Sequence, residues 1–191
     1  ESGKNLTFSV LKLFGGLSVN EQFLINICVS LSIFKTLRAL QIPDLSIKWP
    51  NDILSEKKKL CGLLIENLYR GKKHIASIVG IGLNVNQIHF FDLNKASSMQ
   101  LSSGKSYNLE EVLQEILNQF SYFIETNLSV SDSFKAFNNV LFGLGEERTF
   151  LEDGKPFQAT VMEVNAQGKL VLKTAQNQLR CFQHKMVEWV Y

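Results

Sequence analysis

Two long apolar runs, Leu60 to Leu68 and Ile75 to Val85, are separated only by the polar connector Tyr69-Arg70-Gly71-Lys72-Lys73. A link that short joins neighbouring antiparallel strands, so a hairpin lies at the centre of the chain. Both runs are almost continuously apolar, which predicts strands buried on both faces in the middle of a helix-covered sheet. The flanking sequence supplies the other elements. Leu6, Phe8 and Val10 alternate with Thr7 and Ser9, the period of a strand with one buried face. Ser18 and Glu21 form a capping-box pair ahead of Phe23, Leu24, Ile27, Leu31 and Phe34, one face of a helix that ends before Pro43. Leu45, Ile47 and Trp49 alternate with Ser46 and Lys48, so this strand sends Lys48 and Trp49 to opposite faces. Asn108 and Glu111 cap a helix striped by Leu109, Val112, Leu113, Ile116, Phe120 and Ile124, and a shorter helix is expected from Ser131 to about Leu141. After Gly145 the helical period stops. Short strands with Asp153-Gly154 and Gln167-Gly168 turns follow, the pattern of a small β-barrel, which places a domain boundary between 1–145 and 146–191.

Composition narrows the function classes. With 45% apolar and 20% charged residues, the 191-residue chain is globular rather than disordered or fibrous. A formal charge of +2 is too small to hold a phosphate backbone by electrostatics alone, so no nucleic-acid partner is expected. No apolar run approaches the length of a membrane span, and no membrane partner is expected either. Cys28, Cys61 and Cys181 are odd in number and widely spaced, which suits a reducing cytoplasm better than a disulfide framework. His74, His89 and His184 are scattered without a carboxylate at ligand spacing, so no metal site is built from side chains alone. The 14 phenylalanines fall mostly on core positions.

Three segments carry residues suited to chemistry. Lys48-Trp49-Pro50-Asn51-Asp52 ends a strand on a cation and breaks it with proline, presenting Asn51 and Asp52 on a loop at the sheet edge. Ordinary turn chemistry accounts for the same residues. In Lys57-Lys58-Lys59 the first two read as a solvated loop, whereas Lys59 abuts a buried strand whose first small residue, Gly62, admits a ligand close to the backbone. Joining a carboxylate to a phosphate brings two anions together, and fixed cations must offset their repulsion; Lys48 and Lys59 are the candidates. Gly80-Ile81-Gly82-Leu83-Asn84 strips side chains from one strand face and ends that bare strip in an amide. It reads either as close helix packing or as the floor for a flat ligand.

Taken together, Lys48-Trp49-Pro50-Asn51-Asp52, Lys59-Leu60-Cys61-Gly62-Leu63-Leu64-Ile65-Glu66 and Gly80-Ile81-Gly82-Leu83-Asn84 resemble the K-W-P-N-D, K-L-x-G-I-L-x-E and G-x-G-x-N blocks of the biotin protein ligases, in order and spacing. The opening Glu1-Ser2-Gly3-Lys4-Asn5-Leu6 is similar to that family's lead into an early core strand. The resemblance implies an α+β fold: a mixed sheet with helices, related to class II aminoacyl-tRNA synthetases, followed by a small SH3-like barrel. It implies ATP-dependent activation of biotin to biotinyl-5'-adenylate, with Mg²⁺, and transfer to a lysine of a biotin carboxyl carrier domain. By resemblance, Lys59 bridges the biotin carboxylate and the α-phosphate, with Lys48 in support. Gly62, Leu64, Gly80 and Gly82 line the biotin pocket, and Asn51, Asp52 and Asn84 face ATP and Mg²⁺. The protein is expected to be a monomer or homodimer.

The family also has a G-R-G-x-x-G-x-x-W loop just ahead of the Glu1-like position, which folds over the adenylate, and these 191 residues do not include it. The polypeptide taken literally is therefore expected to have weak or no activity, with a sheet edge left unpaired. Nor do they show the helix-turn-helix unit of the family's repressor-type members. Two other readings stand beside the biotin ligase: a lipoate ligase-like acyl-adenylating enzyme, and a non-catalytic remnant that binds the acceptor domain.

Overall fold

The computed structural model describes residues 2–17, 22–91, 93–125 and 129–190. Among these described residues, ten strands and four helices follow in the order β1 (Asn5–Leu17), α1 (Gln22–Ala39), β2 (Leu45–Lys48), β3 (Asp52–Ser55), β4 (Lys58–Arg70), β5 (Lys73–Asn84), α2 (Met99–Ser103), α3 (Leu109–Glu125), α4 (Val130–Asn138), β6 (Glu147–Glu152), β7 (Lys155–Val164), β8 (Leu170–Thr174), β9 (Leu179–Phe182) and β10 (Glu188–Val190). The first sheet has the order β1-β5-β4-β3-β2 and the second β10-β6-β7-β8-β9. Ladders between neighbouring strands of the first sheet are antiparallel. Parallel pairing enters through single bridges, Ile47 to Leu141 and Lys59 to Ala96.

The expected hairpin is present, and its strands run further into the polar connector than the apolar pattern marks, leaving a Gly71-Lys72 turn in which Gly71 has φ +62°. Its predicted burial on both faces is not observed. Leu83, Ile81 and Val79 on β5 and Cys61 and Leu63 on β4 are buried, whereas Leu64 is 64% exposed on the other face. Among the described residues, α1 and α3 contact the first sheet and pack on each other, and the strand residues facing away from the buried row stay partly open. The near-continuous apolar sequence thus hides a one-sided strand pair whose open face carries glycine and leucine in place of charge.

Helix α1 departs from expectation in the opposite sense. Its spacing predicts one buried stripe, but Ile25, Ile27, Val29, Leu31, Ile33 and Leu37 are all buried, together with Ser30, Ser32 and Thr36. The helix lies between the sheet and helices α3 and α4, so almost its whole circumference is interior. A buried hydroxyl needs an acceptor, and Ser32 donates back to the Cys28 carbonyl at 2.7 Å. The Ser18 and Glu21 capping pair lies outside the described residues. Helix α3 follows the predicted stripe, with Val112, Ile116 and Phe120 buried. Its first turn is capped as expected by the Asn108 Oδ1, which accepts from the Glu110 and Glu111 amides at 2.9 and 3.4 Å. The short helix begins at Val130, capped by Ser129 accepting from the Asp132 amide, and ends at Asn138, three residues before the expected end.

After Gly145 the five short strands form an antiparallel sheet around Phe150, Val161, Leu170, Leu172 and Phe182. This is consistent with an SH3-like barrel, although the described ladders do not close β9 onto β10. The Asp153-Gly154 turn has φ of +48° and +74°, the two positive values of a tight hairpin connection. Helix α4 is tied to the second sheet, and the segment after it to the first. Asn138 receives the Val164 amide at 2.7 Å and donates to the Val164 carbonyl at 3.0 Å. The Ile47 amide donates to Val140 and the Phe142 amide to Ile47, each at 2.8 Å, which covers the free edge of β2.

Candidate active site

Register makes the site visible. Five residues, one from each strand of the first sheet, stand side by side in a single row: Thr7, Gly82, Gly62, Asp52 and Lys48. The adjacent row, shifted by one residue on each strand, is Leu6, Leu83, Cys61, Ile53 and Ile47, all buried. Successive side chains of a strand leave on opposite faces, so the first row lies on the open side of the sheet and the second under the helices. The open row therefore has two bare positions at its centre, an ion pair on one flank and a hydroxyl on the other. The next open row, Ser9, Gly80 and Leu64, continues the floor.

A β-bulge brings Lys59 to this face. One step on β3, from Ile53 to Leu54, is matched by two on β4, from Cys61 to Lys59, so Leu60 is the extra residue. Leu60 and Cys61 are both buried, and the bulge turns Lys59 over to the Gly62 side. Without it Lys59 would share the face of Cys61, beneath the helices. The ammonium then reaches Asp52, with Nζ 2.6 Å from Oδ1, and Lys48 approaches Oδ2 at 3.7 Å. A Cβ built on Gly62 would stand 2.8 Å from the Lys59 Nζ, so glycine is the residue that lets this side chain lie across the strand. At Gly82 an added Cβ meets nothing within 4 Å, so the floor is open there.

Burial works against the charge of Lys48 and lowers its pKa from the ordinary lysine value; Asp52 opposes the shift, while the Lys59 and Lys95 cations add to it. Beneath the floor, burial pushes the Cys61 thiol up to about 12, which leaves it protonated and inert.

Of the residues expected to act together, Lys48, Asp52, Lys59, Gly62 and Gly82 share one row or touch it, with Gly80 and Leu64 beside them. Asp52, expected on a loop, is the first residue of β3, paired across from Lys48, because only Trp49, Pro50 and Asn51 are needed to turn the chain between strands. The Trp49-Pro50 peptide is cis. Asn51 is tied to β4: its side-chain amide donates to the Leu63 carbonyl at 2.6 Å and its carbonyl accepts from the Leu63 amide at 3.0 Å. It borders a cleft of about 380 Å³ with Trp49, Leu64, Gly168 and His184. Asn84 points its amide at the Ser97 carbonyl, 3.0 Å away, and lines a larger cleft of about 830 Å³ beside Lys59.

Sequence reasoning misses three features. Thr7 belongs to the site row, and strand alternation marks it, but only the sheet register shows which row it joins. Segment 93–96 lines the larger cleft and has no motif. Alternation marks Trp49 as a strand residue and nothing more; its indole N–H donates to the Gly168 carbonyl at 2.9 Å and its ring meets His184 edge-on at 6.3 Å, so the second sheet holds the turn that carries Asn51.

An open sheet face with a glycine floor, bordered by lysines that share one carboxylate, is suited to holding an acid group against a phosphate. Residues 1–84 of the chain match the Biotin/lipoate A/B protein ligase family model. Its relatives include Biotin--protein ligase 2 of Arabidopsis thaliana, 30% identical over 139 residues, which are 69% of this chain and 40% of that protein. The chloroplastic Biotin--protein ligase 1 of the same plant is 30% identical over 155 residues, 76% of this chain and 41% of that protein. The chain thus spans about 40% of the length of these relatives. The fold is that of a biotin protein ligase: the Aquifex aeolicus enzyme in complex with biotin and ATP superposes with a TM-score of 0.77 at 23% identity, over 98% of this chain and 79% of that one.

Proposed function

We propose that residues 1–145 form the core, and 146–191 the cap, of an ATP-dependent enzyme that activates biotin to biotinyl-5'-adenylate and transfers it to a lysine of a biotin carboxyl carrier domain. The observation that carries this reading is the row of Thr7, Gly82, Gly62, Asp52 and Lys48 with Lys59 laid over its centre. A flat bicyclic acid resting on Gly62, Gly80 and Gly82 would bring its carboxylate to the Lys59 ammonium. The same ammonium can contact the α-phosphate, which lowers the repulsion between the two anions as they approach. The carboxylate oxygen attacks the α-phosphorus, the bond to the β-phosphate oxygen breaks, and pyrophosphate leaves with the electron pair. In the second step the neutral amine of the acceptor lysine attacks the acyl carbon, AMP departs, and the amine loses its proton.

Asp52 orients both lysines in the resting site and is the carboxylate of the row. Among the described residues no group of three or more metal-ligating side chains occurs. A Mg²⁺ carried in on the triphosphate fits this arrangement, since that ion commonly takes one or two protein carboxylates and fills its shell with phosphate oxygens and water. When bound it would neutralise phosphate charge next to Asp52. The free thiols of Cys28, Cys61 and Cys181 support a reducing cytoplasm as the place of work.

Biotin-dependent exchange of pyrophosphate into ATP by the full-length protein tests the reading. Lys59→Ala is expected to lower exchange by at least about 100-fold, the scale for losing one preorganised donor to developing charge. Unchanged exchange in that variant would remove Lys59 from the mechanism. Calorimetry with biotin and lipoate side by side is expected to show heat with biotin alone, and binding of lipoate alone would move the protein to the lipoate branch of the matched family.

A further inference from the structure

The turn that carries the site is held from outside its own sheet. Lys48 and Asp52 face each other across Trp49-Pro50-Asn51, and Asn51 ties that turn to β4 through Leu63. A second tether comes from the cap. Trp49 is 2% exposed, so its indole N–H needs a protein acceptor, and the Gly168 carbonyl supplies one at 2.9 Å. That carbonyl is aimed by a turn built on one side chain. The Asn165 Oδ1 accepts from the Gln167 and Lys169 amides, each at 3.0 Å. The Asn165 main chain adds two bonds, its carbonyl accepting from the Gly168 amide at 2.8 Å and its amide donating to the Lys169 carbonyl at 3.0 Å. Gly168 has φ +73°, and a Cβ there would stand 2.4 Å from the Phe23 Cγ, so the first turn of α1 lies directly against the peptide that receives Trp49. Upstream, Asn138 at the end of α4 grips both polar main-chain groups of Val164, the residue before Asn165. Turn 165–168 is therefore fixed to α1 and α4 before it meets Trp49.

Asp52 directly follows the turn, and its carboxylate orients Lys59 at 2.6 Å and Lys48 at 3.7 Å. Trp49 directly follows Lys48, so a displaced indole moves the ends of a short turn and both charges with them. We propose that Asn165 is a positioning residue for the site: by aiming the Gly168 carbonyl at Trp49 it sets the turn between Lys48 and Asp52, and through Asp52 the place of the Lys59 ammonium. This deepens the adenylating reading above and rests on it for the activity measured, whereas the setting of Lys48 can be read without any substrate.

Two measurements on the full-length protein test this, with wild type, Asn165→Ala, Asn165→Asp, Trp49→Phe and the exposed cap variant Lys155→Ala. Competitive acetylation of amines, read by mass spectrometry, gives the pH at which Lys48 becomes reactive. Asp52 supports the charge of Lys48 against burial, so a displaced Asp52 lowers that pH. Asn165→Ala and Trp49→Phe are expected to lower it and to reduce biotin-dependent pyrophosphate exchange about tenfold, a fraction of the roughly 100-fold that a displacement of about 1 Å costs. Asn165→Asp keeps an oxygen that accepts from both amides and should match wild type, as should Lys155→Ala. Trp49→Phe leaves turn 165–168 intact and decides the matter if Asn165→Ala does not fold. An unchanged Lys48 reactivity in either folded variant overturns the proposal even where the melting temperature falls, because the bonds then hold the cap and not the site. An equal shift in Asn165→Asp or Lys155→Ala overturns it as well. The biotin reading is judged separately: exchange that needs no biotin would sink the substrate assignment, and the Lys48 measurement would still decide the role of Asn165.

Discussion

The two faces of the first sheet are built from the same five strands, one residue out of phase. The covered face presents Leu6, Leu83, Cys61, Ile53 and Ile47; the open face presents Thr7, Gly82, Gly62, Asp52 and Lys48. On the covered face apolar burial supplies the stability, because each side chain leaves water and meets close-packed neighbours. On the open face the central side chains have been removed, and what remains is charge and a hydroxyl around a bare backbone. The difference separates two tasks: one face keeps the sheet rigid, and the rigid sheet holds the other face in shape without needing packing there. A substitution should therefore affect stability or ligand binding according to the face it is on, even between adjacent residues.

The largest effect on stability is expected from the covered row. Leu83→Ala removes a fully buried side chain, and core deletions of this kind cost about 2 to 5 kcal/mol. Leu64→Ala, on the open face and 64% exposed, should lie within about 0.5 kcal/mol of wild type. Urea unfolding of the two variants measures both. If Leu64→Ala is as costly as Leu83→Ala, the open face is packed in the native protein and the division between the faces fails.

Adjacent to Leu83, Gly82→Val should give the reverse pattern. A side chain added at this position enters open space, and valine suits a strand, so stability should be kept or slightly raised. The branched side chain would nevertheless stand on the floor and lift a ligand off it. A displacement of about 1 Å in a reacting group costs on the order of 100-fold, so kcat/KM in pyrophosphate exchange should fall by about that factor. A Gly82→Val protein of normal activity would show that the floor is not where the ligand lies, and one that fails to fold would show that the space over Gly82 is filled.

Much of this arrangement is legible in the sequence, because period-two alternation and tight turns are local properties. The hairpin, the α3 stripe with its Asn108 cap, and the shared face of Gly80, Gly82 and Asn84 all follow from spacing alone. Two kinds of feature are not local. The burial of β4 and β5 on one face escapes the sequence because leucine and glycine on an open ligand face resemble core there; only the count of covering helices distinguishes them. The bulge at Leu60 is silent for a related reason. Consecutive buried residues read as one apolar run, and nothing in Lys59-Leu60-Cys61-Gly62 announces that the lysine has changed face. The segment beside Lys59 is less legible still, since the parallel bridge from Lys59 to Ala96 joins residues 37 positions apart, a contact that no local pattern encodes. Thr7 lies between these cases: its strand is readable and its partners are not.

The smallest of the expected effects tests the border between the two faces, where Lys48 stands on the open row but is largely buried, with a side chain only 13% exposed. Burial, aided by the Lys59 and Lys95 cations, lowers its pKa below the ordinary lysine value despite Asp52. The sign of the linkage follows. Between the lowered folded value and the unfolded one, the unfolded chain binds more protons, so stability rises with pH across that alkaline window; below it, the charged lysine imposes its full penalty. Lys48→Met should consequently be neutral or stabilising by about 1 kcal/mol at pH 7, since Asp52 keeps its pairing with Lys59. The same variant should lose about tenfold in exchange, because the developing phosphate charge meets one cation fewer. Wild-type exchange should fall on the alkaline side before an ordinary lysine would deprotonate, and Lys48→Arg, whose guanidinium stays charged, should move that limb upward. A Lys48→Met protein that is strongly destabilised at pH 7 would show that the ion pair with Asp52 holds the β2–β3 turn together. The open row would then be part of the structural frame as well as of the site.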